Sequence, residues 1–275
     1  MGRLDRRVAV VTGSGRGIGR AVVKLLASEG AAVVVNDIDA DVADETVAGL
    51  REDGYAAQAY VGDVTAVDFG VGITDVAIDC FGSLDIIVTN AGYTWDATIQ
   101  KTSDEQFQAM LDVHLVAPFR LLRAAQPHLR RLFEEDRVAG RRTVRKVVNV
   151  SSLSGTGGNA GQVSYATAKA GVTGLTKSLA KEWGRYAVTV NAVAFGLIGT
   201  RLTEAVVGEK VTIAVGGRVV PVGVSQELLR TATALVPLAR PGTVEDAAGA
   251  IALFTYPESD YITGEICRCA GGFAN

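Results

Sequence analysis

The stretch VAVVTGSGRGIGRAVV at residues 8–23 constrains this chain more than any other feature. A short β-branched run passes into a turn holding Gly13, Gly15, Gly17 and Gly19, and the turn opens directly into an amphipathic segment. Such a turn bares backbone N–H groups at a helix N-terminus, which is what a pyrophosphate needs and what side chains would block. A lone glycine pattern is weak evidence; a strand before it and a helix after it make it specific. Gly13, Arg16, Gly17, Ile18 and Gly19 are therefore expected to hold dinucleotide phosphates.

The rest of the chain repeats that alternation. β-branched runs fall at residues 8–12, 32–37, 56–61, 84–90, 146–152, 187–193 and 264–270. Between most of them lie segments of helical period, such as IGRAVVKLLASEG with Val22, Leu25, Leu26 and Glu29. Strand and helix in alternation mean an α/β fold: a doubly wound parallel sheet with helices on both faces. No linker interrupts the rhythm, so residues 1–275 are read as one domain.

Composition narrows the partners. Apolar residues make up 48% and charged residues 21%, enough for a large core and against disorder. A formal charge of −3 leaves no basic footprint for nucleic acid. Cys80, Cys267 and Cys269 are odd in number and form no CxxC pair, so neither a disulfide framework nor a metal site is expected. The first residues lack a secretory core, and no run approaches the roughly 18 apolar residues of a spanning helix. A cytoplasmic protein without a membrane partner is the expectation.

Two segments break the rhythm. FEEDRVAGRRTVR at 133–145 reads as a solvated connection. EKVTIAVGGRVVPVGV at 209–224 has two β-rich runs around Gly216-Gly217, a hairpin signal, with Pro221 marking an edge strand.

The second run ends in Asn36-Asp37, eighteen residues beyond Gly19. A carboxylate there accepts from adenosine ribose hydroxyls and repels a 2′-phosphate, so Asp37 favours NAD over NADP. Arg16 pulls the other way if it binds that phosphate; it reads equally as a solvated side chain beside the pyrophosphate. Further on, a strand ends at Ser151-Ser152, and a helix then carries Tyr165 and Lys169 on one face. An ammonium near a phenol favours the phenolate, which brings tyrosine toward a useful range for proton transfer.

These motifs together resemble the short-chain dehydrogenase/reductase family across essentially the whole chain. The matches are T-G-x-x-x-G-x-G at Thr12 to Gly19, Asn90-Ala91-Gly92, Ser152 with Tyr165 and Lys169, and SDYITG near the C-terminus. The resemblance implies a single-domain Rossmann fold with a seven-stranded sheet, assembled as a homotetramer or homodimer. It implies Tyr165 as general acid/base, Lys169 as the residue that tunes it and holds the nicotinamide ribose, and Ser152 as the group that orients a substrate alcohol or ketone. Asp63 and Val64 match the adenine-binding pair, and Asn90, Ala91 and Gly92 the stretch under the cofactor. FGLIGT matches P-G-x-I-x-T, so Gly196, Ile198 and Thr200 would hold the nicotinamide carboxamide and phosphate, with Phe195 in place of the proline.

Within the family the pattern looks nearest to 3-oxoacyl-acyl-carrier-protein reductases and related 3-hydroxyacyl or hydroxysteroid dehydrogenases. The family's lid segment corresponds to residues 201–236, which here contain the hairpin and are rich in valine. An apolar lid points to a substrate with an aliphatic portion; a subunit contact is the other reading. A non-catalytic dinucleotide-binding regulator is the rival function, and it would not need Ser152, Tyr165 and Lys169 together.

His114, one of two histidines, lies in SDEQFQAMLDVHLVAPFRLL on a helix starting near Ser103. Phe107, Met110, Leu111, Leu115 and Leu122 share or flank its face, so a buried ring is expected. The family usually has asparagine there, as a fourth active-site member whose main-chain carbonyl holds a water next to the lysine. His114 would keep that backbone role, and the part its ring plays stays open.

Overall fold

The computed structural model describes residues 2–200, 205–206, 211–215 and 217–273. Seven parallel strands form the central sheet: β1 (Val8–Val11), β2 (Ala32–Asp37), β3 (Ala57–Val61), β4 (Ile86–Thr89), β5 (Arg145–Ser152), β6 (Val188–Phe195) and, last in the chain, β11 (Ile266–Cys269). Their order is β3-β2-β1-β4-β5-β6-β11. All seven expected strands are present, so the doubly wound reading is correct.

The inner strands are rich in β-branched residues because both their faces are covered. Ala9 and Val11 of β1 face one core and Val8 and Val10 the other. The first core takes in α1 (Gly17–Ser28), α2 (Ala40–Glu52) and α9 (Val244–Ala252). The second takes in α3 (Phe69–Phe81), α5 (Ala117–Val138) and α7 (Val163–Trp183). α4 (Asp104–Leu111) starts at Ser103 with a reciprocal capping box to Gln106 and joins α5 through a π-helical turn at Asp112–Val116. α6 (Leu153–Gly157) is a short turn after β5.

β1 pairs with both β2 and β4. The chain therefore winds outward to β3, returns past β1 and winds the other way. The carboxyl ends of β1 and β4 diverge at that reversal and open the crevice where ligands of such sheets bind.

The remaining strands lie outside the main sheet. β8 (Val211–Val215) and β9 (Arg218–Val222) pair antiparallel with Val215 opposite Arg218, as the hairpin reading expects. Gly217 has φ +77°, which a primed turn demands. β7 (Ala205–Val206) and β10 (Val224–Ser225) pair in parallel, and α8 (Gln226–Ala234) follows. Residues 201–204, 207–210 and 216 of the expected lid lie outside the described residues.

One expectation holds only in part. Residues 139–144 do join α5 to β5 and are exposed at 139–142, but the helix continues to Val138, and Asp136 and Arg145 are buried. The Arg145 guanidinium lies 2.9 Å from Asp136 and 3.5 Å from Asp85, which offsets the cost of taking these charges out of water.

Candidate active site

The glycine turn is held by polar clamps from three strands. Thr12 Oγ1 accepts from the backbone N–H groups of Asn90 and Ala91, both at 3.0 Å. The Asn90 amide donates to the carbonyls of Thr12 and Gly13, both at 2.9 Å. From β2, Asn36 Oδ1 accepts from Gly13 N–H at 3.1 Å, and its amide donates to Tyr60 and Gly62 carbonyls. Asn90 thus supports the turn with its side chain. Asn36 was not singled out from sequence, and only the turn of a β-run into Asn-Asp signalled it.

The turn is shaped for close approach. Gly17 opens α1 at φ +55°, with no atom near the place a Cβ would occupy. A Cβ on Gly19 would stand 2.2 Å from the Gly13 carbonyl oxygen, so only glycine lets the helix pack on the turn. Arg16, before the first helical residue, makes no side-chain cap. The first N–H groups of α1 are thus left without a capping side chain, as an anion site requires. Ile18 packs on the first core.

Asp37 ends β2 against this turn: a Cβ on Gly15 would lie 2.8 Å from its Oδ2. Its Oδ1 accepts from Asp39 N–H at 3.2 Å. Arg16 pairs with Asp39 at 2.7 Å. Asp63, just past β3, takes Thr65 N–H and hydroxyl on one oxygen at 2.8 and 2.7 Å, which shapes the loop; Val64 is half-buried beside it.

Across the crevice, Ser152 closes β5, and its Oγ accepts from Ser154 N–H at 3.1 Å. The Tyr165 hydroxyl faces the Ser152 side chain. Lys169 is buried one turn further on, with Nζ donating to the Val150 carbonyl at 2.7 Å and 5.8 Å from the Tyr165 ring centre. Burial pushes the Tyr165 phenol up to about 12; the Ser152 contact opposes this and Asp96 adds to it. Burial also pushes the Lys169 ammonium down to about 7. The expectation that Lys169 pulls Tyr165 down is therefore not met. Burial outweighs the Ser152 contact, Lys169 is not among the causes of the shift, and the lysine's own charge is weakened.

His114 lies in the π-helical turn with its ring buried, as expected. Its Nε2 donates to the Tyr93 carbonyl at 2.7 Å, and its ring meets Tyr165 edge to face at 4.9 Å between centres. On the far side, Phe195 keeps strand pairing with Ser152 and Cys269, so the missing proline leaves β6 intact. Gly196 N–H donates to Cys269 and Gly199 N–H to Gly242, which fixes residues 196–199 at the crevice rim; Thr200 follows.

Two further residues at the mouth escaped the sequence reading. Gln162 donates to Asp96 at 2.6 Å, and its carbonyl oxygen accepts from Ser154 and Asn159. A bridge between Ala97 and Gln162 joins the loop after β4 to the start of α7. From the hairpin, Val220 is fully buried in an apolar cluster with Tyr93, Met110 and Val113, against which Val64, Trp95 and Tyr165 pack.

A family model described as short chain dehydrogenase matches residues 7–210. The chain belongs to the short-chain dehydrogenase/reductase family. It is 36% identical over 270 residues to 3-oxoacyl-[acyl-carrier-protein] reductase FabG of Vibrio cholerae, covering 98% of each chain. It is 34% identical to the short-chain reductase NovJ of Streptomyces niveus, covering 96% of this chain and 93% of that one. Among solved structures, gluconate 5-dehydrogenase from Burkholderia cenocepacia, in complex with NADP and tartrate, superposes with TM-score 0.84 at 28% identity, covering 98% of this chain and 96% of that chain. A Serratia marcescens short-chain dehydrogenase/reductase variant gives TM-score 0.83 at 28% identity, over 99% and 100%.

As a member of this family the protein is an NAD(P)-dependent oxidoreductase acting on a CH–OH group. The uncapped start of α1 and the close-approach glycines fit the dinucleotide. No helix among the described residues is long and apolar enough to cross a membrane.

Proposed function

We propose that this enzyme interconverts a secondary alcohol and its ketone with NAD(H) as the preferred dinucleotide. Its substrate carries an aliphatic portion, as a 3-hydroxyacyl or 3-oxoacyl thioester does. The observation that carries this reading is Tyr165 beside Ser152 at the crevice, with Lys169 buried behind it.

Gly13, Arg16, Gly17, Ile18 and Gly19 hold the pyrophosphate, Asp37 the adenosine ribose, and Asp63 and Val64 the adenine pocket. Asn90, Ala91 and Gly92 form the floor, and Gly196, Ile198 and Thr200 hold the nicotinamide end. Bound there, the dinucleotide supplies the hydride chemistry. Ser152 orients the substrate oxygen beside Tyr165. A phenol held neutral by burial is competent to donate its proton to a ketone oxygen. In the alcohol direction Tyr165 accepts that proton instead, and Lys169, in its protonated fraction, favours the phenolate this needs. The His114 carbonyl, in a turn where helical bonding changes register, supports a water beside Lys169.

NAD preference draws its support from Asp37 against the turn and from Arg16 being engaged by Asp39. The aliphatic substrate and a lid role for residues 201–236 draw theirs from Val220, which brings the hairpin onto Tyr93 and Trp95. Assembly as a homotetramer or homodimer draws on Phe119, exposed on α5.

The test is a panel of alcohols, ketones and acyl thioesters assayed with NAD(H) and NADP(H) by nicotinamide absorbance. Tyr165→Phe is expected to bind dinucleotide and lose turnover. Normal activity in that variant would overturn the assignment.

A further inference from the structure

The roles above use the backbone of His114 but not its ring, and the ring is unusually constrained. It is 3% exposed. Nε2 lies 2.7 Å from the Tyr93 carbonyl, an acceptor only, so Nε2 carries the hydrogen and Nδ1 is a bare lone pair. Nδ1 is buried without a protein hydrogen-bond partner, so a proton placed there would make a buried cation with nothing to receive its bond. The nearby titratable groups are Tyr165 and Lys169 of α7, and Lys169 opposes any second positive charge. Burial and Lys169 together hold the imidazolium well out of reach at neutral pH.

The ring is also a spacer. It touches Tyr165 edge to face, at 4.9 Å and 89°. On another side it presses on the cofactor floor: a Cβ on Gly92 would stand 2.2 Å from Cε1 and 2.7 Å from Nδ1. Gly92 is not in the left-handed region, so it is the ring, and not the backbone, that excludes a side chain there.

We propose that the His114 imidazole is a positioning residue: a neutral wedge of fixed tautomer that sets the Tyr165 ring against the Gly92-Tyr93 floor. The edge contact orients the phenol, and the Nε2–H bond orients the floor. The proposal rests on Tyr165 being the acid/base, but its contacts can be read without turnover.

Two variants separate the contacts. His114→Phe keeps a ring and loses the donor; His114→Gln keeps an amide donor near the Nε2 position and loses the ring. His114→Gln is expected to lose about tenfold to a hundredfold in kcat, because small misplacements of a reacting group cost that much, with dinucleotide Kd within about twofold. His114→Phe is expected to weaken dinucleotide binding more than His114→Gln does and to lower kcat less. Gly92→Ala is expected to lower kcat by displacing the ring, and His114→Asn in the same chain to restore part of it.

Additive effects in that double-mutant cycle, or equal kcat and Kd in the two single variants, would overturn the proposal. Nitrogen NMR of the unmodified protein decides even where variants fold poorly. With His128 as the only other histidine, the His114 signals are expected to stay those of a neutral Nε2–H ring from about pH 5 to 8. An Nδ1–H ring, or one that titrates in that range, would refute it. Dinucleotide Kd and the NMR signature remain readable if no substrate is turned over, which separates this failure from failure of the proposed reaction.

Discussion

The Arg16 guanidinium lies 2.7 Å from the Asp39 carboxylate, on the rim of the turn that Asp37 lines from below. Both partners are partly exposed, so the pair adds only about 0–1 kcal/mol of stability. Its effect is on charge: it engages a cation that would otherwise meet a 2′-phosphate. Asp39→Ala together with Asp37→Ser is expected to shift the NADP-to-NAD ratio of kcat/KM by about tenfold or more. Charges near a surface interact by about 1–4 kcal/mol at 4 Å, and 1.4 kcal/mol is a factor of ten. Initial rates with both dinucleotides, alongside an unchanged melting temperature, check this.

Below the sheet, Arg145 is bonded to Asp136 at 2.9 Å and sits near Asp85, which also accepts from Val8 N–H. Burial pushes the Asp136 carboxyl up, but the bonds from Arg141 and Arg145, with Thr143 close by, more than offset this and hold it below its usual range. Asp136→Ala leaves a buried cation with half its partners and is expected to cost about 3–5 kcal/mol in urea unfolding. Because the folded-state value is lowered, this group's contribution is present above the ordinary carboxylate range and fades as pH falls through the folded-state value. Asp136→Ala should therefore lose its disadvantage in strong acid.

This cluster also marks where the sequence stops being readable. The inner strands were visible because strands buried on both faces are near-continuous β-branched runs, as in Val33 to Val35. Ser152, Tyr165 and Lys169 were visible because their spacing is local. Asp85 lies far in sequence from Asp136 and Arg145, which are nine residues apart on either side of a loop, and the pairing depends on strand order; a run of charges alone looks solvated. Asn36 and Gln162 were missed for the same reason, since each bonds to loops that only the folded sheet brings together. The direction of the Tyr165 shift was misread because spacing reveals a charge neighbour but not the depth of burial.

Lys169 supplies a signed prediction. Its folded-state value is about 7, far below that of an exposed lysine. Between about pH 7 and 10 the unfolded chain therefore holds a proton that the folded chain has lost, and stability from this group rises with pH. Relative to Lys169→Met, the unmodified protein is expected to gain up to about 1.4 kcal/mol per pH unit in that window. Denaturant unfolding of both proteins at pH 7.5 and 9 reads the difference. A parallel pH dependence in the two proteins would mean that Lys169 titrates normally.

Val220 decides between the two readings of the hairpin. It is fully buried beside Tyr93, with Trp95 and Tyr165 packed on the same cluster. Burying a valine contributes about 1.5–3 kcal/mol, so Val220→Asp should open this face of the cleft. If the hairpin covers substrate, kcat/KM for a long acyl thioester is expected to fall about tenfold to a hundredfold, and that for a short ketone much less. Deleting residues 209–224 should then also change chain-length preference. If the hairpin is a subunit contact, both changes leave the kinetics alone and alter the mass seen by light scattering. The packing of Val220 on residues next to Tyr165 favours the first outcome, because a contact surface has no need to touch the acid/base.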